Sequence, residues 1–436
     1  SMTFRIKKNR KLIPRRMYVP IIFIYYNTLN NLLFSSVDKS LSTISIHLLM
    51  DKIIMLWASI INKLSSSDEE IEMIKEVIQT FGENEINPIV SDIDDNSEIP
   101  PLILEKVSEL GLYGMLGSSE FGGAETSFST FIHGMMELSK YSPALSSLLI
   151  FHNILSVKLI SKYGTDSQKN NLLPELTTGK KIGTAVLGDD GSFINVNNLH
   201  TEATEDGDYY SISGTKSFVL NGALSDFFII LCNFGKDSGF VLVEKDNPDI
   251  SFSKPISTIG LNGNELVSIS FYSCKVPKTS LIGKFEDTSE IIKIIQETVW
   301  LGISAISVGI MQSALTQAIK YSNEREQFSK PISKFEAIQH KIAGIALDIE
   351  AASTMLSTVS KNKDNNLDVH IQAAMTKIAS SEMSQRNTKF SLLIHGGYGY
   401  IKDYPAERFV RDAEAVKSLV DSNDDLRVLI AKHLIS

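Results

Sequence analysis

The chain of 436 residues is 43% apolar and 21% charged, with 42 Lys and Arg against 51 Asp and Glu, for a net charge of −9. That length supports a large buried core in one big domain or several small ones, and the acidic balance argues against a basic nucleic-acid-binding face. Cys232 and Cys274 stand apart, with no C-x-x-C or Cys/His cluster, so neither a disulfide framework nor a metal site is expected, only two buried, inert thiols.

Residues 1–66 differ from the remainder. Arg5, Lys7, Lys8, Arg10, Lys11, Arg15 and Arg16 all precede the first acid, Asp38, and the apolar run from Met17 to Tyr26 is soon broken by Asn27, Asn30 and Asn31. A basic, acid-free start before a short apolar run fits a mitochondrial presequence, an interrupted signal-anchor or an ordinary extension packed on the fold. A mitochondrial location is the first expectation and a cytoplasmic one the alternative. Over 44–64, apolar positions recur at three and four, the pattern of an amphipathic helix facing a partner or a membrane surface.

From about Ser67 the pattern settles. Helical periodicity over 70–81, 101–110, 130–142 and 145–163, punctuated by Gly, Pro and Ser/Asp, predicts an all-α domain over 67–182. Residues 183–286 alternate at every second position in short runs, 210–220, 227–231, 240–244 and 267–276, separated by Asn-Gly, Gly-Lys-Asp and Asn-Pro turns, which predicts antiparallel strands. Long helical stretches return over 290–322, 334–362, 367–394 and 406–419, predicting a C-terminal four-helix bundle over 287–436. Strands set between two groups of helices give an α+β fold, not an alternating parallel one.

Two stretches carry more than periodicity. The first runs from Tyr321 through Arg325, Gln327, Phe328 and Pro331 to Gln339; the second runs His395-Gly396-Gly397-Tyr398-Gly399-Tyr400 and on through Tyr404-Pro405-Ala-Glu407-Arg408 to Asp412. Both resemble signatures of the acyl-CoA dehydrogenase family. Further matches in order are Gly111-Leu-Tyr-Gly114, Glu120-Phe-Gly-Gly123, Tyr163-Gly-Thr-Asp-Ser-Gln168, Gly214-Thr-Lys216 before Asn221-Gly222, and Lys275-Val-Pro277. The resemblance covers about 70–436, is nearest to the very-long-chain branch, and implies a helical domain, a middle β-barrel-like domain and a four-helix bundle.

The resemblance also implies FAD as cofactor, an acyl-CoA substrate, a homodimer or homotetramer, and an electron-transfer flavoprotein as redox partner. Arg325, Gln327 and Phe328 would reach across a subunit boundary to the adenosine and pyrophosphate of FAD, a task suited to a planar, permanently charged guanidinium. Gly396 and Gly397 would let backbone approach the pyrophosphate where a Cβ would not fit. Ser422 and Asn423 fall in the same motif set, and Ser192 survives from a Gly-Ser pair expected near the substrate. Arg408, Arg411 and Asp412 are expected as ion-pair and capping residues, and His152 and His395 as satisfied core or loop histidines.

Several positions depart from the family pattern. Val186-Leu187-Gly188-Asp189-Asp190-Gly191-Ser192-Phe193 stands where the family has Thr-Glu-Pro-x-x-Gly-Ser-Asp, and Phe218-Val219-Leu220 stands for Trp-x-Thr. Phe218 still offers a ring to stack on a flavin, whereas Leu220 offers no polar atom, and Leu393 replaces a Gln. The family's catalytic Glu falls at Val420, with Asp421 the adjacent carboxylate; the minority position on the long helix falls at Val299, beside Trp300 in place of Arg, and Glu297 should point elsewhere. Two function classes follow: an FAD-dependent acyl-CoA dehydrogenase with Asp421 as base, or a lapsed member kept as a scaffold or binding protein. A flavin oxidase or monooxygenase has no positive motif. Thinned flavin contacts predict weak or absent FAD binding.

Overall fold

In the computed structural model the described residues are 68–189 and 199–435. The basic start, the amphipathic stretch over 44–64 and Ser192 lie outside them.

The chain begins with α1 (68–81), α2 (Val90–Asn96) and α3 (Pro101–Glu109), the last opened by Pro101 where a helix needs no N–H. The runs expected over 130–142 and 145–163 form α4 (Phe128–Leu138) and α5 (Pro143–His152), the latter passing through a π turn into α6 (Leu159–Tyr163). Ser127 and Ser142 cap α4 and α5 by accepting the N–H groups of Thr130 and Leu145. Every residue of α4 is buried, as is every residue of α5 after Pro143, so these two helices form the core of the domain. A further helix, α7 (Asp166–Thr177), was not expected from periodicity; its signal is the reciprocal capping box of Thr165 and Gln168.

Eight strands follow: β1 (Gly183–Val186), β2 (Glu202–Asp206), β3 (Tyr209–Leu220), β4 (Phe227–Asn233), β5 (Ser238–Glu244), β6 (Ile250–Phe252), β7 (Leu266–Pro277) and β8 (Leu281–Ile282). They pair in the order β6-β7-β3-β2-β4-β5-β8, with β1 alongside β4 in parallel. The path is open, with the short β6 and β8 at its ends, so the expected barrel is an unclosed sheet. Alternation could not tell the two apart, because a sheet and a barrel both place side chains at period two. Ile212, Phe228, Ile230, Val241 and Ile269 fill one face with the buried thiols of Cys232 and Cys274, whose pKa values burial pushes up to about 12 and about 11.

The C-terminal region comprises α8 (Thr288–Glu324), a two-stranded hairpin of β9 (Glu326–Gln327) and β10 (Lys330–Pro331), α9 (Glu336–Asp364), α10 (His370–His395), α11 (Ala406–Ser418) and α12 (Asn423–Ile435). The first four helices stand where expected, and α12 packs on α10 as a fifth. From Glu297 to Met311 every residue of α8 is buried. At Gly309 an added Cβ would lie 2.5 Å from the Met136 carbonyl, so only glycine lets α8 and α4 approach this closely.

One buried charge pair ties the sheet together. Lys216 on β3 is fully buried and donates to the Leu187 carbonyl (3.0 Å), the Leu231 carbonyl (2.6 Å) and Asp189 Oδ1 (2.5 Å), while Asp189 also accepts the Thr201 N–H (2.8 Å) and hydroxyl (2.9 Å). Removing one partner strands the other charge, so Lys216→Met should cost about 3–5 kcal/mol in urea unfolding. The double variant Lys216→Met, Asp189→Leu should recover a large part of that loss.

Candidate functional site

A cavity of about 480 Å³ opens between the sheet and the helical domains. Its sheet side is β1 with the residues after it and the end of β3. The β3–β7 register slips between Lys216 and Val219, and this bulge puts Phe218 at φ +57 with its ring half exposed at the cavity. Bulges commonly re-aim a side chain beside a site, and this one places Phe218 on the lining as expected, with Leu220 behind it.

The second wall is the loop over 256–264, and it is clamped from below. The Leu261 N–H donates to Asp412 on α11 (2.7 Å), and Asn262 donates to Asp94 on α2 (2.9 Å). Arg411 pairs with Asp94 (2.6 Å) and Glu407 (2.6 Å), as expected for ion-pair residues. Burial pushes the Asp412 carboxyl up to about 6. Asn264, which sequence reading missed, lines the cavity and ties itself to the Ala144 carbonyl (3.0 Å).

The third wall is the end of α11 and the turn after it: Ala415, Ser418, Leu419 and Val420. Here the expected base stands off the lining. Val420, not Asp421, lines the cavity. Asp421 Oδ2 accepts the indole N–H of Trp300 (2.8 Å), which directs the carboxylate toward α8. Burial pushes its carboxyl up to about 6, against the indole and the nearby Lys377 ammonium, which favour the ionised form. Ser422 and Asn423 are also engaged elsewhere: the Ser422 hydroxyl caps α12 by accepting the Asp425 N–H (3.1 Å), and Asn423 accepts from Lys377 (2.8 Å) and donates to Ser381 (3.1 Å). Neither lines the cavity. Glu297 is buried and paired with Lys363, away from the cavity as the helix geometry predicts; Val299, the family's minority base position, is also buried and does not line the cavity.

A second hollow of about 430 Å³ lies at the far end of α8, lined by Tyr321, Arg325, Gln327, His395, Gly396 and Gly397. Arg325 and Gln327 are exposed, and the guanidinium stands 5.5 Å from the Tyr398 ring centre. Gly396 adopts φ +58, ψ −131, which L side chains avoid, and open space surrounds the position of a Cβ at Gly396 and Gly397. His395 stacks on Tyr321 (4.4 Å between centres), and its buried Nε2 has no partner. Phe328 is off the lining, 88% exposed on a hairpin turn with Ser329 in which both residues have positive φ. His152, by contrast, is a satisfied core residue, contacting the Leu176 carbonyl (3.1 Å), and burial lowers its pKa to about 4.

Models for the N-terminal, middle and C-terminal domains of acyl-CoA dehydrogenase match residues 68–180, 186–274 and 301–435. The chain belongs to the acyl-CoA dehydrogenase family. It is similar to the acryloyl-CoA reductase (NADH) of Anaerotignum propionicum, 31% identical over 85% of this chain and 95% of that one. It is also similar to the short-chain specific acyl-CoA dehydrogenase of Clostridium acetobutylicum, 30% identical over 83% of this chain and 96% of the relative. Among solved structures, butyryl-CoA dehydrogenase from Megasphaera elsdenii superposes with a TM-score of 0.81 at 26% identity, covering 84% of this chain and 98% of that one. In this acyl-CoA dehydrogenase fold the cavity wall at 420 is apolar.

Because Asp421 is held off the cavity, Asp421→Asn should leave any acyl-CoA turnover within about two-fold, a change far below general-base loss. The same variant should alter stability against pH. Asp421 binds its proton more tightly folded (about 6) than at its ordinary value of 3.8, so its contribution is greatest below the lower value and declines as pH rises through the upper one. Thermal melts between pH 4 and 7 should show a shallower decline in Asp421→Asn than in wild type.

Proposed function

We propose that the chain is an FAD-dependent oxidoreductase acting on an acyl-CoA thioester, with each flavin site shared by two copies. The observation that carries this reading is the placement of two half-sites along one buried helix. The cavity with Phe218 lies beside the Trp300 part of α8, and the Arg325, Gly396 and Gly397 cradle lies at its end. From Trp300 to Tyr321 the helix rises about 31 Å, which separates the two half-sites of one chain. A second copy bringing its cradle to the cavity would complete the site. Phe328, held out on two left-handed residues, and Leu347, 72% exposed on α9, supply apolar surface for such a partner.

The residues fit the cofactor. The Arg325 fork suits a pyrophosphate, the two glycines admit it, and the unpartnered His395 Nε2 offers a polar contact. When bound, FAD supplies the hydride acceptor. The protein supplies the binding surfaces: Phe218 to stack and a wall of aliphatic residues and hydroxyls to exclude water. Among the described residues it supplies no side-chain proton acceptor, because none of those lining the cavity is acidic, basic or histidine, and a general base must lie within hydrogen-bond reach. That absence favours the second reading, a member that keeps its ligands and has lost proton abstraction, acting as a scaffold or binding protein. An electron-transfer flavoprotein belongs only to the first.

The substrates named for the relatives support a short acyl chain over the very-long-chain branch that the motifs suggested, and a series from butyryl- to palmitoyl-CoA decides between them. Against the weak or absent binding that Leu187, Leu220 and Leu393 predict, purified protein should carry the visible flavin band. Under anaerobic conditions butyryl-CoA should bleach it slowly in wild type and faster in Val420→Glu, by up to ~10²–10⁴-fold. Protein that takes up no FAD would remove the reading, and rapid bleaching of the wild type would remove the lapsed alternative.

Light scattering at micromolar concentration should give a dimer or larger. Arg325→Ala should weaken FAD by about ten-fold or more, the loss of a charged hydrogen-bond pair, while leaving the assembly intact.

A further inference from the structure

We propose that Trp300 and Lys377 are positioning residues of the cavity: from α8 and α10 they grip Asp421 at two points and so hold Val420 as the closing wall. The connection they act on, between α11 and α12, has no regular structure of its own. Its backbone is under constraint. Val420 sits at φ +68, a left-handed conformation that is an outlier for a β-branched residue and persists only where surrounding contacts enforce it.

The enforcing contacts come from two neighbouring helices. Lys377 is fully buried and directs its ammonium at three oxygens: the Lys417 carbonyl in the last turn of α11 (3.1 Å), the Asp421 carbonyl (2.7 Å) and Asn423 Oδ1 at the start of α12 (2.8 Å). Three donors meet three acceptors, so one side chain stitches the loop to both helices. Trp300, buried on α8 with His370 against its ring (5.0 Å between centres), donates to the Asp421 carboxylate (2.8 Å). Residue 421 is thus fixed through its main chain and its side chain together, and Val420 immediately before it has no freedom to swing from the cavity. Neither Trp300 nor Lys377 lines the cavity. They act through the loop.

Hydrogen exchange of the amides over 419–423 tests this directly. Trp300→Phe leaves the Asp421 carboxylate buried without its donor, and exchange there should rise about ten-fold, the scale of a lost hydrogen bond to a charge. Adding Asp421→Ala removes the other half of the same contact, so exchange in the double variant should stay within about two-fold of Trp300→Phe alone. A tryptophan that merely filled the core would let the two single effects add. Unchanged exchange in Trp300→Phe, or a double variant faster by the product of the two single effects, overturns the proposal. Lys377→Met supplies the second arm, with faster exchange expected at the same amides even where Trp300→Phe does not fold, and wild-type exchange there counts against it.

A second readout rests on the proposed flavin function: FAD should bind about ten-fold weaker to Trp300→Phe, and the double variant should bind it no more weakly than that. Failure of every variant, wild type included, to bind FAD would overturn that function while leaving the exchange result to decide the positioning role.

Discussion

The burial of α8 is the constraint on which the rest depends. A helix of 37 residues closely surrounded through its central turns cannot bend toward one site or the other, so it fixes the distance between the cavity near Trp300 and the cradle beyond Tyr321. Gly309 lets the N-terminal domain pack against it at backbone distance. The other helices inherit their placement from this axis: α10 lies along it and carries Lys377 to one end and Gly396 to the other, and α11 returns from the cradle to the cavity wall.

Around the cavity, charge has been moved out of the lining and into its supports. Lys216 with Asp189 holds the sheet side, Asp412 with Arg411 and Asp94 holds the 256–264 loop, and Lys377 with Asp421 holds the loop after α11. Each wall therefore rests on a buried polar group whose loss would strand a partner in low dielectric. Among the described residues, the lining is left with aliphatic groups, hydroxyls, one amide and the rings of Phe151 and Phe218. Such a surface is suited to hold a flat ring or an acyl chain.

The two functional readings differ at one side chain. The proposed binding rests on the shape of the cavity, the Phe218 ring and the distant cradle; proton abstraction in the commoner family pattern rests on a carboxylate at the position where Val420 stands. The adjacent Asp421 shows why proximity in sequence is a poor guide to reach, since neighbouring residues in a turn project in different directions, and the indole of Trp300 claims this carboxylate for the opposite side.

The sequence by itself determined the order of domains, the helices of the C-terminal region nearly to their ends, the strand runs and the family, because local periodicity and short motifs encode them, and its motifs named Arg325, Gly396 and Gly397, which line one hollow. The family resemblance pointed to Phe218 and to position 420, and both stand on the cavity lining. The tertiary structure alone decided that the sheet is open, because closure depends on whether short edge strands meet. It decided too that Asp421 is withdrawn and that Ser422 and Asn423 serve the start of α12. Those outcomes rest on contacts such as Trp300 to Asp421, 121 residues apart, and Lys377 to Asn423, 46 apart, and no pattern local to either partner carries a signal for a hydrogen bond formed across the folded core.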